Sequence, residues 1–156
     1  LSQIPNIITI DRTRDAALID RITAELKPYV TWDQAQKLPD GKTLVETPGC
    51  YIVAVSVDGV VRGLGVLNGN EVHTLFLENL RGKLALDAAR MGLKWFFAHT
   101  ELDEIVSFAF SHRPEVIMFA KLVGMTETNI EDPGFTYDGA PIKRHNFSIM
   151  RDKLCQ

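Results

Sequence analysis

Glu71-Val72-His73-Thr74-Leu75-Phe76-Leu77 is followed by Glu78-Asn79-Leu80-Arg81-Gly82-Lys83, and then without a break by an apolar run from Leu84 to Ala98. The first piece reads as a strand, the second as a turn, the third as a helix. In the helix the polar positions Lys83, Asp87, Arg90 and Lys94 fall at i, i+4, i+7 and i+11, one narrow stripe, and Leu, Ala, Met, Trp and Phe fill the rest. A helix with so wide an apolar surface is mostly buried, and its stripe reads as a solvated face with i,i+4 pairing rather than a binding surface. Glu104 to Phe110 is a further strand. Strand, helix and strand of these lengths form a right-handed crossover, so the two strands are expected to lie parallel.

Upstream, Tyr51 to Val57 reads as a strand, Asp58-Gly59 as a two-residue hairpin turn, and Val60 to Leu67 as the returning strand. Asn68-Gly69-Asn70 turns the chain into the Glu71 strand, which completes an antiparallel meander. Both faces of Tyr51–Val57 are apolar, so layers are expected on both sides of the sheet. Asn6 to Ile10 is an opening strand. Asp11 and Thr13 are placed to cap a helix over Asp15–Leu26, in which Ala16, Ile19, Ile22 and Leu26 recur at helical spacing. Thr31 to Leu38 reads as a second short helix and Thr43 to Gly49 as loop. Downstream, Pro114 to Leu122 is a helix opened by Pro and ended by Gly124. Met125–Ile130 and Lys143–Arg151 are the last strands. Glu131 to Pro141, with two Pro, two Gly and two Asp, reads as a long connection and a mobile lid.

The whole is one α/β domain over residues 1–156: a single mixed, mostly antiparallel sheet with a parallel strand pair and helices on both faces. The 156 residues are 46% hydrophobic with a formal net charge of −3, which argues against disorder and against a sequence-independent grip on nucleic acid. No apolar run approaches the roughly 18 residues of a membrane span. Leu1 to Pro5 lacks the basic region of a signal peptide. Cys50 and Cys155 lie far apart, so a reducing, cytoplasmic setting is expected, with Cys50 a small core residue rather than a nucleophile. Gly63-Leu64-Gly65 sits within a hairpin strand and is no dinucleotide fingerprint; Gly82-Lys83 lacks the flanking residues of a P-loop. His73, His99, His112 and His145 show no metal-ligand spacing.

What remains is the turn. A helix N-terminus presents unpaired N–H groups and a positive dipole end, which suit phosphate, and Arg81 and Lys83 add full charges there while Gly82 permits close approach. The same spacing also suits an ordinary strand-to-helix turn with basic surface residues.

The order of elements over residues 6 to 151, the Arg81-Gly82-Lys83 turn into a long helix, and the short helix ending Lys121-Leu122-Val123-Gly124-Met125 together resemble the GNAT superfamily of N-acetyltransferases. The resemblance implies an acyl-CoA N-acyltransferase-like fold with acetyl-CoA as acyl donor. Phe76 and Leu77 would offer backbone to pantetheine, Arg81, Gly82 and Lys83 would meet the pyrophosphate, and Ser111 would join the cofactor contacts. It also implies direct attack of a primary amine, on a small molecule or a protein, with a base on the Glu71 strand. Glu71 and His73 are two apart and share a face, and His73 titrates in a useful range. A strand-end Glu and a half-buried His without catalytic duty fit the same spacing. Ser111 and Tyr137 stand nearest as a thiolate acid. The chain departs from the family pattern at Leu84 and Leu86, where small residues are usual, and at Ala120, where a Tyr is usual. It also resembles, in texture, small bacteriophage head-assembly or internal virion proteins of the same superfamily. That implies an alternative: a structural protein that kept the fold, lost the chemistry, and partners other virion proteins in the host cytoplasm or the virion.

Overall fold

The computed structural model of the protein describes residues 5–26 and 39–154. In chain order these form β1 (Ile8–Arg12), α1 (Ala16–Leu26), α2 (Gly41–Glu46), β2 (Cys50–Val57), β3 (Val60–Asn68), β4 (Glu71–Phe76), α3 (Gly82–His99), β5 (Glu104–Phe110), α4 (Pro114–Val123), β6 (Thr126–Glu131), β7 (Thr136–Tyr137), β8 (Ala140–Pro141), β9 (Arg144–Met150) and α5 (Arg151–Leu154). A seven-stranded sheet runs β1-β2-β3-β4-β5-β9-β6, with β4 and β5 as its one parallel pair. This is the mixed sheet the sequence predicts.

The hairpin β2–β3 turns at Asp58 and Gly59, whose φ values of 51° and 81° are the left-handed pair that such a turn requires. The two apolar faces of β2 go to two layers. Ile52 and Ala54 pack with Ile19, Ile22 and Leu44 under α1 and α2; Val53 joins Phe96 and Phe97 of α3 on the other face. Two glycines of β3 clear space between layers. A methyl on Gly63 would meet the Phe76 ring at 2.7 Å, and one on Gly65 would meet Val53 at 3.0 Å and Phe96 at 3.5 Å. That packing accounts for the Gly-x-Gly spacing.

The structure corrects several expectations. Residues 43–49 are not all loop: Gly41–Glu46 is helical, capped by Asp40, whose carboxylate accepts from the Thr43 N–H at 2.8 Å. The Gly41 N–H also donates to Asp20 at 2.7 Å, which docks α2 on α1. Asp11 lies in β1 opposite Ala54 and makes no capping bond among the described residues; Thr13 accepts from the Asp15 N–H at 3.1 Å, and Asp15 caps α1 through the Leu18 N–H at 3.1 Å. The segment between β6 and β9 is no open lid. It folds back as the hairpin β7–β8, turned by Asp138 and Gly139 at φ 52° and 79°, and Ile142 beside it is buried. The expected helix over Thr31–Leu38 lies outside the described residues, as does Cys155. Cys50 is a buried free thiol that burial pushes upward in pKa, against a smaller opposite pull from Arg12. No described helix is long and apolar enough to cross a membrane.

Candidate functional site

The parallel pair is barely a pair. Glu71 opposite Val106 is its single register contact, tied by the Val106 N–H to the Asn70 carbonyl at 2.8 Å. Beyond it β4 and β5 splay. The Leu77 N–H bonds back to the Arg62 carbonyl at 2.9 Å, which sets the alternation along β4. Leu75 and His73 therefore also bond to β3, and the main-chain groups of Val72, Thr74 and Phe76 point toward β5, Val72 at the paired end and Thr74 and Phe76 into the gap. Of these, the Val72 carbonyl accepts from the Ser107 hydroxyl at 3.3 Å.

Behind the splay, on the α3–α4 face, lies an apolar cavity of about 70 Å³. It exists because small residues line it: Gly65, Ala88, Ala89, Gly92 and Ala120. A space of that size holds more than one water, or a short acyl chain. In front of the splay, on the opposite face, is a polar groove walled by Glu71, Glu104, Phe108, Arg144, Asn146 and Ser148. Ser107 and Phe108 border both spaces. The gap in the sheet is thus where an apolar pocket and a polar one approach each other.

Glu71 and His73 share the groove face, with Nε2 of His73 3.5 Å from Oε1 of Glu71 and each side chain 36% exposed. The His73 ring stands edge-to-face on Phe108 at 5.6 Å. Burial holds His73 below its ordinary pKa; Glu71 pulls it up, and Arg144 pushes it down further. Arg144 lies over the Phe108 face, its guanidinium carbon 3.9 Å from the ring centre, and its Nε donates to Asn146 at 2.9 Å. Glu104 accepts from the Ser148 hydroxyl at 2.6 Å.

At the head of α3, Arg81 is the capping residue and makes no side-chain cap; its Nε donates to the Glu78 carbonyl at 2.9 Å. Gly82 takes φ 61°, a conformation that favours glycine, and Lys83 is 87% exposed with Asp87 as its ion-pair partner at 2.9 Å. The first in-helix bond runs from the Ala85 N–H to the Arg81 carbonyl, so the amides of Gly82, Lys83 and Leu84 have no partner one turn back. Leu84 is half-buried against the cluster of Val55, Val57, Leu80, Ala85 and Ala88.

Among the sequence-predicted residues, the structure brings Glu71 and His73 together beside the splay, and sets Phe76 on its edge against Phe119. Leu77 lies just past β4. Arg81, Gly82 and Lys83 form the exposed turn at the head of α3. Ser111 sits beyond the end of β5, where its hydroxyl accepts from the Lys143 N–H at 2.8 Å. Tyr137 stacks on His112 at 4.4 Å on the β7–β8 hairpin. Arg144, Asn146 and Ser148 escaped sequence reasoning, although three polar residues at period two on β9 mark a polar face. Among the described residues no cluster of His, Cys, Asp or Glu is arranged to hold a metal ion.

The splayed pair, the crossover helix and the flanking layers define an acyl-CoA N-acyltransferase-like fold of the GNAT type. Solved structures of spermidine N-acetyltransferase SpeG from Vibrio cholerae share it. The form in complex with CoA and spermine is 15% identical with a TM-score of 0.73, over 96% of this chain and 98% of that one. A dodecameric form in an intermediate state gives 14% and 0.73, over 96% of both chains. A single-residue variant gives 13% and 0.76, over 96% of both. Residues 40–156 match the family described as "Protein of unknown function (DUF2824)", and the chain belongs to that family. No curated protein matches it.

Proposed function

We propose that the protein is an N-acyltransferase that moves an acetyl group from acetyl-CoA to a primary amine by direct attack. The observation that carries this reading is the meeting of the apolar cavity and the polar groove at the β4–β5 splay, bordered by Ser107 and Phe108. A thioester entering from one face and an amine from the other would meet there. The chain fits the donor at three points. The α3 amides with Arg81, Gly82 and Lys83 suit a pyrophosphate. The main-chain groups of Thr74 and Phe76 suit the amides of a pantetheine arm, whereas the Leu77 N–H is already committed to Arg62. The cavity lined by Ala120 suits the acyl end.

Acetyl-CoA would supply an activated carbonyl carbon. Glu71, through a water, or His73 directly would take a proton from the acceptor ammonium to free the lone pair that attacks, or from the neutral amine as the N–C bond forms. The C–S bond breaks, and the thiolate is protonated by solvent or a neighbouring acid. Depression of the His73 pKa keeps its imidazole neutral, and so able to accept a proton, to lower pH than usual. Ser111 and Tyr137, both engaged at the far end of β5, are weaker claimants for the acid than solvent.

Titration calorimetry with acetyl-CoA tests the reading. Wild type should bind, and Arg81→Ala should weaken binding by about 1–3 kcal/mol, the usual loss of a charge-assisted hydrogen bond. No heat and no thermal shift at millimolar acetyl-CoA would reject it. One observation favours a second reading: Ala120, Leu84 and Leu86 stand where the superfamily pattern has Tyr and small residues. On that reading the chain keeps the fold as an assembly protein, for instance in a tailed-phage virion. A negative titration together with co-purification in a larger assembly would support it.

A further inference from the structure

The acceptor side of the groove holds a cation of its own. Arg144 stands directly opposite Glu131 in the β6–β9 register, yet among the described residues it makes no ion pair with Glu131 or any other carboxylate. Its guanidinium turns inward onto the Phe108 face at 3.9 Å and is held by Asn146 at 2.9 Å through Nε. The ring contact and that bond hold the group in place. Neither terminal nitrogen has a hydrogen-bond partner among the described residues. A guanidinium held by its face and its Nε offers those two nitrogens as a fork, which matches a carboxylate's two oxygens. His73 touches the same Phe108 ring from its edge, so the fork and the candidate base stand on one side chain.

The surrounding acids narrow the choice of ligand. Glu71 is turned to His73, Glu104 to Ser148, and Glu131 accepts from the Asn129 amide at 3.3 Å; all three line the same groove. A doubly charged phosphate would meet their repulsion; a single carboxylate paired to Arg144 would meet less. A polyamine would have to seat an ammonium group beside Arg144.

We infer that Arg144 is a specificity-determining residue of the acceptor site, and that the acceptor is an amine carrying a carboxylate a few carbons away, an amino-acid-like molecule rather than a polyamine. The inference rests on the transferase reading for its site and adds the substrate class. The test uses the full chain and binding as its main readout. Wild type, Arg144→Gln and Arg144→Lys are titrated with a series of α- to ω-amino acids up to 6-aminohexanoate, and with diamines of the same lengths, with and without acetyl-CoA. At least one amino acid should bind wild type about tenfold or more tighter than its matching diamine. Arg144→Gln should abolish that preference by weakening the amino acid about 10- to 100-fold, the loss expected for a charge-assisted pair. Arg144→Lys, which keeps the charge and loses the fork, should restore only part of it. If turnover is measurable, the Arg144→Gln loss should fall mainly on KM rather than kcat. A wild type that prefers diamines, binds neither series, or keeps its preference in a folded Arg144→Gln variant would overturn the inference. Failure of the transferase reading shows separately, as absence of heat in the acetyl-CoA titration of wild type.

Discussion

Replacing Arg151 by Ala should cost several times what a surface truncation usually does. The side chain leaves the first residue of α5, just past β9, and reaches the C-terminal end of α3. There its Nη1 donates to the Phe97 carbonyl at 2.6 Å, its Nη2 to Thr100 at 2.9 Å and Leu102 at 2.6 Å, and its Nε to Leu102 at 3.0 Å. Phe97 and Thr100 belong to the last turn and cap of α3, whose carbonyls lack partners along the helix and carry the negative end of its dipole. Hydrogen bonds to a charged group are each worth about 1.5–3 kcal/mol. Three carbonyls are served, Leu102 twice, and the side chain is 30% exposed, so water replaces part of what is lost. Discounting by roughly half gives about 2–4 kcal/mol for Arg151→Ala. At about 2–4 °C per kcal/mol for a domain of this size, Tm should fall by roughly 5–15 °C. Arg151→Lys supplies charge but one donor centre and should recover about a third of the loss. Urea and thermal denaturation of the three proteins decide the matter. A drop below about 2 °C for Arg151→Ala, or full recovery by Arg151→Lys, would show that the forked cap contributes little.

Two further expectations concern the site. Ala120→Leu should fill the cavity behind the splay, leaving stability unchanged or raised by about 1 kcal/mol while weakening acetyl-CoA binding at least about tenfold; calorimetry and denaturation on the same variant separate the two effects. If His73 is the base, log kcat/KM should stay flat through the ordinary histidine range near 6.5 and fall only at lower pH, because the folded pKa is depressed. The same sign holds for stability. The contribution from keeping His73 neutral is present above its unfolded pKa and is lost as pH falls through the lower folded value, so His73→Gln should flatten the acid limb of a denaturation–pH profile.

The meander and crossover were legible because their signals are local. Asp58-Gly59 can only turn one way between β-branched runs, and the apolar surface of α3 leaves one stripe for solvent. The same Asp-Gly signal at residues 138 and 139 went unread, since its flanking strands are two residues long and one ends in Pro141. Helix α2 escaped because Gly41, Thr43 and Val45 are indifferent helix formers; what stabilises it is the Asp40 cap and the Asp20 contact, the latter a tertiary bond. Glu71 and His73 were recoverable as a pair from strand alternation. Arg144 was not, because its placement depends on β9 inserting between β5 and β6, a strand order no local pattern encodes.

The splay gives this sheet four edges instead of two. Thr74, Phe76 and Phe108 lie in strands near its middle, yet their amides point across the gap rather than into a ladder. Isotope exchange at these amides should therefore be governed by water entering the cleft, at rates far above those of Leu75 and Ala109 one residue away, which open only with their half of the sheet. Interior position and protection are uncoupled here, and any molecule that threads the cleft will register first as a slowing of those three protons.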